Sequence, residues 1–247
     1  MGRLFINEWI KVKYSKMLWI LYGIILVYVI LTGGMPTGTM GWGEYGATAP
    51  YGYLRNCGTL VMMFLSPMVG IFFTQEFAQG TMHNTLSCGV SRRDYFMVKL
   101  VCVLISGYLV YFCSLLVFTG IRCLVAGYRP SSGICPPCGL RELVVYQAGC
   151  CVQEFTYITF FLLVSVISKK TAIVNLVGLV VWWGEAMLSL SVPAFKGPTS
   201  TIISSFELWE SGKVLTMEFV KQYGQCAIMS IVFLALAYFI FLRRDIN

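Results

Sequence analysis

The chain has 247 residues, of which 57% are hydrophobic and only 12% are charged, and its mean hydropathy is +0.75. A soluble domain carries about 25% charged residues, so this chain has too few to cover a water-facing surface. The composition therefore argues against a soluble globular protein, a disordered chain and a free-standing nucleic-acid binder. The net charge of +7 is interpreted first as membrane topology rather than as the sign of an anionic partner.

Six apolar stretches are each long enough to cross the core of a bilayer, which takes roughly 20 helical residues. They lack the alternation and the shorter length, about 10 residues, of transmembrane β-strands. We therefore expect an all-α integral membrane protein with six transmembrane helices. The first stretch resembles a signal peptide, but the five later spans favour an uncleaved helix. The predicted spans lie near 17–33, 57–75, 98–119, 144–167, 171–191 and 224–242.

The basic residues are divided unequally between the two sides of this bundle. If both termini are cytoplasmic, eleven of the 18 Lys and Arg and four of the 11 acids face inside, so the whole +7 surplus lies there. Short cytoplasmic loops are enriched in Lys and Arg, and the turn 168–171, with two lysines, fits that rule. We expect a multi-pass protein of the inner (cytoplasmic) membrane with both ends cytoplasmic, where anionic lipid and protein partners are available.

The segment 3–16 precedes the first span and has apolar residues at helical spacing. Trp9 belongs to the apolar side, whereas Glu8 and Lys11 fall mostly on the other side. This pattern predicts an amphipathic, interfacial helix at the inner membrane surface. The helix could be a simple lipid anchor or a platform for a cytoplasmic partner, and the sequence leaves both open.

The connection between the second and third spans is longer than a simple turn needs. Gly80 permits a turn, Gly89 is a typical helix stop, and Ser91 with Asp94 fits a capping box that opens the third span. The pattern predicts a short transverse helix on the cytoplasmic side. Because a plain loop would be shorter, we expect this extra helix to dock on a partner.

The sequence lacks the motifs of an ATP site and of a histidine metal site. Gly212–Lys213 is followed by Val214, and Glu207 stands where the first P-loop glycine belongs. His83 is the only histidine, so no multi-histidine zinc site can form. We therefore expect no catalytic residue, no bound metal and no cofactor on this chain, which is predicted not to be an enzyme.

Glu154 and Glu185 lie within predicted spans, toward the outer half of the membrane. An acid at the bilayer centre costs about 2.5–3.5 kcal/mol on insertion scales, so such residues usually face a cavity or a partner. Both are candidates for a polar translocation path or for proton-titrating groups. A helix-packing hydrogen bond or an interfacial position is the structural alternative.

Two outer loops carry further features. Cys135 and Cys138 form a CxxC pair that we expect to be a disulfide, with free thiols as the alternative. A single CxxC without histidines is weak support for zinc. Pro193 and Pro198 interrupt any helix after the fifth span, so 192–223 is predicted to form an extracytoplasmic re-entrant or surface helix pair.

Taken together, the spans, the interfacial helix and the transverse helix resemble the ABC-2 type permeases, the membrane subunits of ATP-binding-cassette exporters. The opening Glu8-x-x-Lys11 and the closing 241–245 also look like the small bacterial members, although family members often have a proline near Gly89. The resemblance covers nearly the whole chain. The motif that carries it is Glu76-x-x-x-Gly80-Thr81, then Leu86-Ser87-x-Gly89-x-Ser91-Arg92, then Tyr95 and Lys99.

The resemblance implies an ABC-2, type V exporter-like fold and a specific set of partners. A second copy of the chain or a homologous permease would pair with it, and separate ATPase subunits would bind ATP and Mg. The segment 78–89 would be the coupling helix that sits in a groove of the ATPase. The implied contact residues are Glu76, Gly80, Thr81, His83, Leu86, Gly89, Arg92 and Arg93.

The resemblance also implies a function, export of a substrate that partitions into the membrane. Amphipathic peptides, in toxin export or antimicrobial-peptide immunity, come first, and multidrug or other small hydrophobic molecules are the alternative. A proton-coupled secondary carrier that titrates Glu185 or Glu154 and a non-transporting membrane scaffold are less favoured. Membrane lipid is an expected partner and nucleic acid is not.

Overall fold

The computed structural model describes residues 2–35, 49–53, 59–79, 81–82, 87, 89–127, 140–191 and 216–243. Within these ranges the regular structure is helical and contains no strand. The helices are α1 (Gly2–Tyr14), α2 (Lys16–Gly34), α3 (Ala49–Tyr53), α4 (Thr59–Gln79), α5 (Arg92–Ala126), α6 (Leu140–Ser168), α7 (Thr171–Ser191) and α8 (Met217–Arg243).

Four helices in the described part of the chain are long and apolar enough to cross a membrane. These are α2, α5, α8 and the Leu143–Ser168 portion of α6, which match the first, third, sixth and fourth predicted spans. Helices α4 and α7 lie where the second and fifth spans are predicted, and Thr171–Val181 of α7 is a shorter apolar stretch. The prediction of an all-α membrane fold is confirmed, and the count of six spans stays a prediction.

Local interactions are found where α5 and α8 begin. Helix α5 begins directly after Ser91, whose hydroxyl accepts a hydrogen bond from the backbone N–H of Asp94 at 3.1 Å, as the capping box predicts. Helix α8 begins at Met217, before the predicted sixth span and inside the range 192–223 that was predicted as a re-entrant or surface helix pair, and 192–215 lies outside the described residues. Glu218 in the first turn of α8 suits the positive end of the helix dipole, and Phe219 is buried against the bundle.

Helix α4 lies at the centre of the bundle and packs against α2, α5, α6 and α7. Its Pro67 cannot donate a backbone hydrogen bond to Met63, and the Ser66 hydroxyl donates to that carbonyl instead at 3.0 Å. The facing helix α7 carries Gly178, where an added Cβ would collide with the Ser66 hydroxyl. A small residue at this contact lets the two helices approach closely.

The periphery of the described helices is apolar. Large side chains such as Trp19 and Ile24 on α2, Leu116 on α5 and Ile228 on α8 are at least half exposed. A water-soluble fold would bury such contiguous apolar faces, whereas lipid tails cover them at no hydrophobic cost. The surface therefore suits a bilayer, and the polar contacts are concentrated inside the bundle and at its ends.

Candidate functional site

Helix α1 turns its acidic side toward the protein rather than toward water. Glu8 is only 3% exposed, whereas Ile6 and Ile10 on the same helix are 57% and 46% exposed. The structure has a helix where 3–16 is predicted to form one, and Glu8, which its spacing places opposite the apolar side, is buried in the protein. The difference has a simple cause, since Glu8 meets basic groups of the bundle.

A fully buried lysine stands at the centre of this contact. Lys99 of α5 is 2% exposed, and its ammonium nitrogen lies 3.4 Å from Glu8 Oε2 and 3.2 Å from Glu76 Oε2. The same ammonium donates to the backbone carbonyl of Phe72 at 2.7 Å, and the Tyr95 hydroxyl donates to Glu76 Oε2. Several partners thus replace the water that each charge loses on burial.

A second lysine, nearer the protein surface, contacts the same two carboxylates. Lys11 of α1 is about half exposed, and its ammonium donates to Glu8 Oε1 and to Glu76 Oε1, both at 2.6 Å. Glu8, Lys11, Glu76 and Lys99, with the Tyr95 hydroxyl, are called the charge cluster below. Its two cations and two carboxylates cancel, so the buried group of charges is neutral as a whole.

The protonation states of the outer members follow from their surroundings. Burial opposes the charged form of Glu76, but the ammonium of Lys99 and the hydrogen bonds from Lys11 and Tyr95 outweigh it and lower the pKa of Glu76. Burial likewise opposes the charge on Lys11, and its hydrogen bonds to Glu76 and Glu8 outweigh that and raise its pKa. Glu76 and Lys11 are therefore both charged at neutral pH.

The charge cluster connects three separate helices at one end of the bundle. Glu8 and Lys11 belong to α1, Glu76 to the last turn of α4, and Lys99 to the second turn of α5. The end of α4 and the beginning of α5, which the segment 80–91 joins, therefore both lie beside these charges. A cavity of about 380 Å³ lies next to the cluster, between α1, the start of α2 and the end of α4.

Two more parts of the chain contact the same ends of α4 and α5. In the turn after α6, the Lys169 ammonium lies 5.7 Å from the centre of the Phe77 ring, and the Thr74 and Thr171 hydroxyls are in hydrogen-bond contact. Near the end of α8, the carbonyl of Leu242 accepts a hydrogen bond from the Arg92 guanidinium at 3.1 Å. The turn 168–171 and helix α8 therefore contact the region where α4 ends and α5 begins.

The predicted coupling residues do not all lie at one place in the structure. Glu76 is in the charge cluster, Thr81 lines the cavity, and Arg93 is exposed on the first turn of α5. Gly89 has a φ of +85°, a left-handed conformation that favours glycine. The remaining residues of this set that lie outside the described ranges are Gly80, His83 and Leu86.

Trp9, the third residue predicted for the interfacial helix, does not join the charge cluster. Its ring stacks on Phe5 with centroids 6.2 Å apart. Both rings are half-buried against the core, so they hold the apolar side of α1 to the bundle. The helix is consequently fixed by an aromatic contact as well as by its charges.

The predicted path residues lie apart from the charge cluster. Glu154 of α6 is 1% exposed, and neither carboxylate oxygen has a hydrogen-bond partner among the described residues. It is enclosed where α4, α5 and α6 meet, beside Gly107, whose added Cβ would come within 3.4 Å of Glu154 Oε1. The backbone of Glu185 belongs to α7, but its side chain lies outside the described part, as do Cys135 and Cys138.

Sequence reasoning assigned no role to Lys99 or Tyr95 beyond their place in the motif. A signal was nevertheless present, because Lys99 is a lone charge inside the third predicted span and stands four residues after Tyr95. A buried lysine at that depth needs a carboxylate partner, and Glu76 closes the preceding span. The involvement of Glu8 from the distant α1 could not be deduced from spacing.

Comparison with protein families relates the chain to a known group. A family model described as ABC-2 family transporter protein matches residues 4–192, a range that contains the whole charge cluster and helices α2 to α7. No protein of curated function matches the chain. Together with the four apolar helices, the match identifies a multi-pass membrane protein.

Proposed function

Because the chain belongs to the ABC-2 family of transporter proteins, we propose that it is the permease subunit of an ATP-binding-cassette exporter. In this proposal ATP and Mg bind to separate ATPase subunits, and the chain supplies the translocation path. The family is one of membrane transport subunits, which agrees with the absence of a P-loop from the sequence.

The observation that carries the proposal is the position of the charge cluster. Its members hold α1, the end of α4 and the beginning of α5, and the proposed coupling helix, 78–89, lies between the last two. A motion applied to that segment would therefore act on both flanking helices at once. The buried lysine and its carboxylates would keep α1 attached while the helices move.

The mechanism that follows is a rigid-body one. Nucleotide binding closes the ATPase pair, and the groove that holds 78–89 displaces this segment. The displacement passes to α4 and α5 through their cytoplasmic ends rather than being lost in a flexible loop. Breaking the charge cluster would weaken the connection of α1 to that motion, because Glu8 and Lys11 make the ionic contacts of α1 with α5 and α4.

The proposed arrangement has six spans, both termini on the cytoplasmic side of the inner membrane, and two permease subunits. The second subunit is another copy of this chain or a homologous permease. The wide apolar faces of α2 and α8 can meet either lipid or that second subunit. The surplus of positive charge on the cytoplasmic side supports this orientation.

We propose amphipathic peptides as the substrate, in toxin export or antimicrobial-peptide immunity. The chain has 15% aromatic residues and 12 methionines, which suit an adaptable apolar path for a molecule that enters from the membrane. Efflux of small hydrophobic drugs is the second candidate, since the same surface would accept them. Glu154 supports a third, proton-coupled transport, because it is a buried carboxyl without a partner among the described residues.

The first test is association with an ATPase subunit. We expect an ATPase to co-purify with the chain from its native host, and Leu86→Ala within the proposed coupling helix to weaken that association. Glu76→Gln should leave the ATPase bound but reduce substrate-stimulated hydrolysis. Glu218→Gln, which changes an exposed acid on α8, is the matched control and should alter neither. Full association and stimulation in both variants would count against the proposal.

A second experiment separates the candidate substrates. Proteoliposomes that contain the complex should accumulate a fluorescent amphipathic peptide only when ATP is present. A hydrophobic dye transported in place of the peptide would favour drug efflux. Transport that follows an imposed pH gradient without ATP, and is lost in Glu154→Gln, would favour the proton-coupled carrier.

A further inference from the structure

The cavity beside the charge cluster is lined by both polar and apolar side chains. Lys11, Ser15 and Thr81 are among the polar ones, and Leu18, Ile71 and Phe72 are among the apolar ones. Its volume of about 380 Å³ lies within the roughly 300–1,000 Å³ typical of small-molecule sites. The lining therefore fits an amphipathic molecule with a polar head and an apolar tail.

The charges favour an anionic head. All four carboxylate oxygens of Glu8 and Glu76 are already engaged by lysines, so the acids have little left to offer a cation. Lys11, in contrast, is half exposed and uses only two of its three N–H donors on them.

The depth of the cavity favours a lipid over a soluble molecule. The cavity lining includes Ser15, the residue between the amphipathic α1 and the first membrane helix, and the Ser15 hydroxyl makes no capping bond to α2. Leu18 lies one turn further along α2, toward the hydrocarbon. A molecule in the cavity would thus have its head at the membrane surface and its chain alongside α2 and α4.

We propose that this cavity binds one anionic phospholipid of the inner leaflet. Its phosphate contacts the Lys11 ammonium and the hydroxyls of Ser15 and Thr81, and an acyl chain lies against Leu18 and Ile71. The bound lipid fills the space between α1 and α4 and so stabilises the contact of α1 with the bundle. An influence of the lipid on coupling to the ATPase would rest on the proposed function, but lipid binding itself does not.

The test measures lipid binding directly on the purified full chain, by native mass spectrometry after detergent washing. The chain is titrated with phosphatidylglycerol, with diacylglycerol, which lacks the phosphate, and with glycerol phosphate, which lacks the acyl chains. We expect one molecule of phosphatidylglycerol to bind more tightly than later ones, and diacylglycerol and glycerol phosphate to compete weakly. Equal binding of diacylglycerol, or displacement of the lipid by glycerol phosphate, would overturn the proposal.

Two matched pairs of variants locate the site. Lys11→Gln should weaken the first binding step about fivefold, whereas Lys13→Gln on the same helix should not, because only Lys11 lines the cavity. Ile71→Trp should exclude the lipid by filling the cavity, whereas Ile24→Trp on the exposed face of α2 should not. Equal effects within either pair would show that the lipid adheres to the general surface and not to the cavity.

These outcomes are independent of transport. If no ATPase associates with the chain but the first lipid still binds, the exporter proposal fails and the lipid site stands. If the complex transports its substrate and the variants retain lipid equally, the lipid site fails and the exporter proposal stands.

Discussion

Glu76 and Glu154 are both buried acids on helices of the bundle, but they differ in the charged and hydrogen-bonding groups that contact them. Glu76 contacts two ammonium groups and a phenol, and it connects α4 to α1 and α5. Glu154 has no hydrogen-bond partner among the described residues and lies beside Gly107 of α5. The first acid is a fixed structural connection, whereas the second is a buried carboxyl without an ionic or hydrogen-bond partner in the described part of the chain.

The comparison teaches that burial alone does not assign a role to an acid in this chain. A carboxylate with matched cations resists any change in its surroundings, because moving it leaves charges unpaired. A carboxyl without a partner loses nothing when its neighbours move, and it gains solvation if water reaches it. Removing a member of the charge cluster should therefore be costly, and removing Glu154 should not.

Lys99→Met is expected to have the largest effect. It leaves two buried carboxylates with only the half-exposed Lys11, and breaking a buried ion pair in this way costs about 3–5 kcal/mol. The free energy of unfolding in detergent, followed by circular dichroism during a denaturant titration, should fall by that amount. Lys13→Met is the control on the exposed side of α1 and should change it by less than about 0.5 kcal/mol. Equal stabilities of the two variants would show that the ion pairs of Lys99 make no net contribution to the free energy of unfolding.

The acid limb of the stability profile should depend on Glu76. Its pKa lies below the ordinary value of 4.5, so its contribution is complete above pH 4.5 and is lost as the pH falls through the lowered value. Lys11, whose pKa is raised above 10.5, gives a contribution that is complete below pH 10.5 and is lost only as the pH rises through that raised value.

Thermal unfolding between pH 3 and pH 8 is the measurement that checks this sign. The wild-type melting temperature should be flat near neutrality and fall in acid, and Glu76→Gln should be less stable at pH 7 with a shallower acid limb. An acid limb as steep in Glu76→Gln as in the wild type would assign the pH dependence to other carboxylates.

The sequence was sufficient for the parts that depend on local pattern. Apolar runs located the membrane helices, Ser91 marked the beginning of α5, and Gly89 has the expected left-handed backbone. It was not sufficient for the charge cluster. Glu8 is far from Glu76 and Lys99 in the chain, and their contact depends on which side of α1 faces the bundle. The ion pairs favour burial of the Glu8 side, against the simple expectation that polar residues of an amphipathic helix face water.

Gly107→Ala should have a smaller effect that tests the packing around Glu154. The added Cβ would lie 2.9 Å from Ile158 Cδ1, which must shift, and 3.4 Å from Glu154 Oε1, which is close to an ordinary contact. Overpacking costs about 1–3 kcal/mol, and we expect the lower end because the Ile158 atom is the far end of its side chain. Gly120→Ala, on the same helix with nothing near the added Cβ, is the control and should be neutral or slightly stabilising. A neutral Gly107→Ala would mean that α5 and α6 are less closely packed than described.

Replacing Glu154 itself should have the smallest effect on stability. Glu154→Gln removes no hydrogen bond and no ion pair within the described residues, so unfolding in detergent should change by less than about 1 kcal/mol. Glu76→Gln, the same substitution at the other buried acid, should cost clearly more because Lys99 and Lys11 lose a carboxylate. A large loss of stability in Glu154→Gln would reveal a partner and make the two acids equivalent. A small loss accompanied by loss of transport would instead mark Glu154 as a group whose exposure or protonation changes during the cycle.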